Sequence, residues 1–138
     1  MSLVVDSSIA IKWFVRETWH DEALQLLDEG EEIYAPDLIV AEVTNVAWKK
    51  VVRSEISERQ ALEIAAKISG GLPILCASKL LNQTALRISL ALNHPVYDCL
   101  YVATAEALGS YLVTDDQRLC QAVADTIYAP LVEHISYF

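Results

Sequence analysis

Leu3-Val4-Val5-Asp6-Ser7-Ser8-Ile9-Ala10-Ile11 is the stretch that decides how this chain is read. A short apolar run stops at an acid, and Ser7-Ser8 then open a helical pattern that continues through Ile11, Phe14 and Val15. Apolar residues in an unbroken run mark a strand buried on both faces, and the change of period after Asp6 marks a strand feeding a helix. The same arrangement returns late in the chain. Tyr111-Leu112-Val113-Thr114 is a second apolar strand, it ends in Asp115-Asp116, and a helix follows from about Gln117.

Between these two units the pattern alternates. A helix is expected over about 18–29, with Ala23, Leu24, Leu26 and Leu27 inward, and then a strand at Ile33-Tyr34-Ala35. Pro36-Asp37 starts a helix to about Arg53, and Ser57-x-x-Gln60 starts another as a capping box. Gly70-Gly71 closes that helix. A short strand at 72–75, a helix over 79–92, a break at His94-Pro95 and a helix over 97–108 stopped by Gly109 follow, and the chain closes through 129–132. Short apolar strands alternating with helices predict an α/β fold, a short parallel sheet flanked by helices on both faces. At 138 residues a single domain over 1–138 is expected.

Composition narrows the class. Only four Gly and four Pro in a chain that is 54% hydrophobic leave no linker or disordered tail. No secretory signal precedes Asp6, and the apolar segment 99–113 carries Glu106 and is too short to span a bilayer, so no membrane association and a cytoplasmic location are expected. Cys76, Cys99 and Cys120 form no Cys-x-x-Cys pair and read as buried thiols. His20, His94 and His134 are scattered and read as surface or loop positions. The net charge of −9 opposes nucleic-acid binding. Part of that charge is local, because residues 17–32 are acid-rich without Lys or Arg and read as one solvated helix face. Lys12, Lys49, Lys50 and Arg53 are the candidate phosphate contacts.

In open parallel sheets ligands bind beyond the carboxyl ends of the strands, at the switch in strand order. Asp6 and Asp115-Asp116 end two such strands, so if the strands are neighbours these acids share a crevice. An Asp in this position is equally a helix cap, and both readings stand at each site. Glu42 lies in a helix apolar around most of its circumference, where an unpartnered carboxylate is costly. Asn45, three residues on, is placed to orient it. Asp98 sits in the first turn of its helix, where the dipole favours an acid. Carboxylates gathered in one crevice repel unless a cation intervenes. Oxygen donors without Cys or His select a hard ion, Mg2+ or Mn2+, and such an ion activates water and neutralises a phosphodiester.

Four motifs, Val4-Val5-Asp6-Ser7-Ser8, Pro36-x5-Glu42-x2-Asn45, Tyr97-Asp98-x2-Tyr101-x-Ala103-x-Ala105 and Leu112-Val113-Thr114-x-Asp116, together resemble those of PIN-domain nucleases, most closely the VapC-type toxins of toxin–antitoxin pairs. The resemblance spans nearly the whole chain in motif order. It implies a PIN-like three-layer fold and a metal-dependent endoribonuclease, with Asp6, Glu42 and Asp98 as the principal acids, Asp116 the fourth, and Ser8 and Thr114 as supporting hydroxyls. It further implies an RNA substrate, a small antitoxin partner, and a homodimer or toxin–antitoxin hetero-oligomer. Asp115 fills the variable place in the last motif, as an added ligand or as a cap. Trp13, Phe14, Trp19 and Trp48 are candidates either for an antitoxin groove or for core packing. A receiver-type phosphoacceptor domain is the rival α/β reading, but it wants its acidic pair after the first strand and gives Glu42 no role. A non-catalytic PIN-fold binding module is the other.

Overall fold

The computed structural model describes residues 2–138. The chain begins with β1 (Ser2–Val5), α1 (Ser7–Ala10) extended by a 3-10 turn, α2 (His20–Asp28) and β2 (Glu32–Pro36). It continues through α3 (Leu38–Val52), α4 (Glu58–Ile68), β3 (Ile74–Cys76), α5 (Asn82–Leu92) and α6 (Val96–Leu108). It ends with β4 (Leu112–Thr114), α7 (Gln117–Val123) and β5 (Val132–His134). The local signals act as their chemistry dictates. Ser57 and Gln60 close the reciprocal capping box that starts α4, and Gly109 takes the left-handed conformation (φ 61°) that ends α6.

The strands form one five-stranded sheet in the order β3-β2-β1-β4-β5, every pairing parallel. From β1 the chain steps outward to β2 and β3, then crosses back to β4 on the other side of β1. The switch in strand order therefore falls between β1 and β4, the two strands that end in acid. Their register pairs Val4 with Leu112 and Val5 with Val113, which puts Asp6 beside Thr114.

Leu3, Val4, Val5, Leu112 and Val113 are wholly buried, as expected of strands covered on both faces. Helix α6 packs across β1, β2 and β4 with α5 against it, while α1 contacts α3, β1 and β4. Every residue of α6 from Cys99 to Ala105 is buried, which makes it the central helix of the fold.

Helix α3 departs from its expected burial. Ile39, Val43 and Ala47 face the core, but Trp48 is 60% and Val52 64% exposed, and with Ala61 and Leu62 of α4 they line an open apolar groove. Trp13, Phe14 and Trp19 instead pack against the core, so of the four aromatic candidates only Trp48 is mainly exposed. The fifth strand, centred on the acid Glu133, carried no strand signature in the sequence.

Candidate active site

The site is assembled at the carboxyl ends of β1 and β4. Asp6 is 8% exposed and accepts three hydrogen bonds: from Ser8 Oγ to Oδ1 at 2.5 Å, from the Ile9 backbone N–H to Oδ1 at 3.2 Å, and from Thr114 Oγ1 to Oδ2. The two hydroxyls are themselves held. Ser8 Oγ accepts the Asp115 N–H and Thr114 Oγ1 accepts the Asp116 N–H, both at 3.0 Å. This small lattice stitches the end of β1 to the turn after β4. Burial nevertheless dominates, pushing the Asp6 carboxyl from 3.8 up to about 6; the three donors oppose the shift and the negative field of Asp98 adds to it.

Glu42 enters from α3. Tyr101, 1% exposed in α6, donates its phenol O–H to Glu42 Oε1. Burial again raises the carboxyl pKa, Tyr101 and Ser7 oppose that, and Asp98 reinforces it. Among the described residues Asn45 makes no hydrogen bond to Glu42; it lies on the exposed side of α3, and Tyr101 does the orienting instead.

Asp98 is the electrostatic link, since its charge acts on both Asp6 and Glu42. Its Oδ2 lies 2.7 Å from His94 Nε2, so His94 is not the scattered histidine its sequence position suggested. Asp116 is joined to the group through Thr114. One of its oxygens, Oδ1, caps α7 by accepting the backbone N–H groups of Arg118 at 2.9 Å and Leu119 at 3.3 Å, and Oδ2 is left. Asp6 and Asp116 thus cap the helices that follow β1 and β4, which is one of the two readings each was given.

Asp115 does not cap α7, whose first N–H groups are taken by Asp116. Its Oδ2 pairs with Lys12 at 2.9 Å and its Oδ1 with His134 at 3.3 Å, so both oxygens already have partners. Lys12 is 3% exposed and also faces Glu17 at 3.7 Å; Lys50, 9% exposed, lies between Glu17 at 3.3 Å and Glu55 at 3.7 Å. These lysines are therefore buried ion-pair partners rather than open phosphate contacts, and Glu17 belongs to that network instead of a solvated face. Lys49 and Arg53 remain exposed on α3 and its end.

Among the described residues no three His, Cys, Asp or Glu side chains close tightly enough to enclose a bare ion. The donor chemistry still suits a hard cation, because magnesium keeps several waters and takes only one or two carboxylates directly. Asp6, Glu42 and Asp98 supply oxygens only, and their mutual repulsion is what such a charge relieves.

The PIN domain matches residues 3–124 of this chain. A relative, Ribonuclease VapC3 of Pyrobaculum aerophilum, is 31% identical over 123 residues, covering 88% of this chain and 94% of that protein. Among solved structures, PAE2754 from Pyrobaculum aerophilum superposes with a TM-score of 0.70 at 20% identity, over 99% of this chain and 85% of that one. VapBC2 from Rickettsia felis, bound to a DNA fragment from its promoter, gives 0.60 at 14% identity over 97% and 98%. At such identities the structural likeness speaks to the fold, whereas the domain match and the sequence relative speak to descent. By both, the chain belongs to the PIN-domain family, in its group of VapC-type ribonucleases.

Proposed function

We propose that this protein is a Mg2+- or Mn2+-dependent endoribonuclease that hydrolyses RNA phosphodiesters, and that it is the toxin of a toxin–antitoxin pair. The observation that carries the reading is the burial of Asp6, a carboxylate 8% exposed and held by three donors at the switch in strand order. A carboxylate buried in the field of Asp98 is expensive, and at 1.36 kcal/mol per pKa unit its shift costs the apo fold about 3 kcal/mol at neutral pH. A binding module without catalysis has no use for that strain; a cation site does.

Asp6, Glu42 and Asp98, with the spare oxygen of Asp116, would hold the ion. When bound, it supplies charge neutralisation on the phosphodiester and activation of water. The chain's own groups do the rest. Ser8, Thr114 and the Ile9 N–H fix both oxygens of Asp6, and above a pH of about 6 leave it ionised as a pure acceptor. Tyr101, buried in α6, holds Glu42 by its phenol O–H and so fixes one oxygen of that carboxylate. With Lys12 and Lys50 sequestered, Lys49 and Arg53 are the two of the four candidate cations that stay exposed to meet phosphates. An antitoxin partner accords with the likeness to the VapBC2 fold, and oligomerisation with the exposed apolar stripe on α3 and α4.

The experiment is cleavage of structured and single-stranded RNA by the protein and by Asp98→Asn. The variant removes the charge that links the acids while keeping side-chain size, and activity is expected to fall by at least a hundredfold with the fold retained. Wild-type cleavage by the variant would remove Asp98 from the site.

A further inference from the structure

The loop between α5 and α6 is built to present one side chain. Asn93 ends α5 in the left-handed conformation (φ 51°, ψ 50°), and Pro95 follows at φ −54° with the extended ψ that precedes a helix. Between them both backbone polar groups of His94 are tied down. Its N–H donates to Ser89 O at 3.2 Å, and its carbonyl accepts from Ser89 Oγ and, more weakly, from Cys99 Sγ at 3.8 Å. The imidazole, with a side chain 13% exposed, then reaches over the first turn of α6 to Asp98 Oδ2 at 2.7 Å. This bond needs only a proton on Nε2, which the neutral tautomer and the protonated ring both provide. Among the described residues no other hydrogen bond reaches the Asp98 carboxylate, so Oδ1 is left without a protein donor.

We propose that His94 is a positioning residue for the cation site: it fixes the rotamer of Asp98 so that Oδ1 is presented to the crevice shared with Asp6 and Glu42. This inference rests on the metal-dependent reading of the site. It differs from a purely structural role by a question of magnitude. Asp98 is 35% exposed, and a pair so open to solvent contributes little to stability. A donor that orients a ligating carboxylate, in contrast, is typically worth 10–100-fold in metal affinity. Asp98 depends on that help, because Asp6 is held by three donors and Glu42 by a phenol fixed in the core, whereas Asp98 has His94 alone.

The test is Mn2+ binding to the full chain without RNA, followed by electron paramagnetic resonance of the free ion. It compares wild type with His94→Ala, His94→Gln, His94→Asn and Asp98→Asn. Gln carries an amide N–H about as far from Cβ as Nε2, and Asn does not reach. Alanine and asparagine are expected to weaken Mn2+ at least tenfold, with the melting temperature in chelator moving by no more than about 3 °C. Glutamine should stay within about threefold of wild type by keeping the donor. Should the alanine variant fail to fold, the contrast between Gln and Asn carries the same information. Wild-type affinity in His94→Ala or His94→Asn, while Asp98→Asn loses the ion, overturns the role of His94 alone. Wild-type affinity in Asp98→Asn overturns the reading of the site itself.

Discussion

Replacing Asp6 by Asn should make the metal-free protein more stable at alkaline pH and leave it unchanged in acid. The reason lies in the two pKa values of one carboxyl. In the unfolded chain it ionises around 3.8, and in the fold only at about 6. Between those values the native state binds more protons than the unfolded one, so stability falls as pH rises through that window, and the loss is complete above it. A shift of that size is worth about 3 kcal/mol at pH 8 and about 1 kcal/mol at pH 4.5, where the unfolded chain is itself largely ionised. Asn carries no charge and escapes the penalty. It must, however, accept where it can and turn an N–H toward hydroxyls already occupied by the Asp115 and Asp116 amides, at a loss of about 1 kcal/mol. The net gain is about 2 kcal/mol at pH 8 and close to zero at pH 4.5. For a chain of 138 residues that is an increase of about 7 °C in melting temperature at pH 8. The assay is thermal unfolding of chelator-treated wild type and variant at the two pH values. An Asp6→Asn protein that melts below wild type at pH 8 refutes the reasoning, because it would make the charge a stabilising partner rather than a strained one.

Two further outcomes separate the lysines. Lys12→Met should lower the melting temperature by about 7 °C, corresponding to about 2 kcal/mol, less than a fully buried pair would lose because Asp115 and Glu17 can rehydrate; an unchanged melt with weakened RNA binding would return Lys12 to the phosphate path. Lys49→Ala and Arg53→Ala, tested on an inactive background, should each leave stability unchanged and flatten the log–log salt dependence of RNA binding by about one unit. Unaltered slopes for both would place the RNA elsewhere on the surface.

What the sequence disclosed was what depends on near neighbours or on an unbroken apolar run. The capping box at Ser57 and Gln60, the stop at Gly109 and the acids at the ends of β1 and β4 are all of that kind. That β1 and β4 lie side by side is a tertiary fact, and the sequence carried it only as the condition on which their acids would meet at the switch in strand order. The misses have a common cause. Three-residue spacing put Asn45 on one face of α3 with Glu42 but could not say which neighbour approaches that face; the partner came from Tyr101, 59 residues away. Lys12 and Lys50 read as free cations because Glu17, in the turn after α1, seemed to belong to the acidic helix that follows. His94 and Asp98 stand four apart, a spacing usable within a helix, but Pro95 interrupts it and the backbone clamp on His94 brings the two together instead.

The central claim is that these carboxylates work only around a divalent ion, and the most direct measurement is RNA cleavage by protein stripped of metal in excess chelator, with Mg2+ or Mn2+ then added back. The account predicts no detectable cleavage until the ion is restored, and full recovery once it is. Undiminished cleavage in the presence of excess chelator would contradict it.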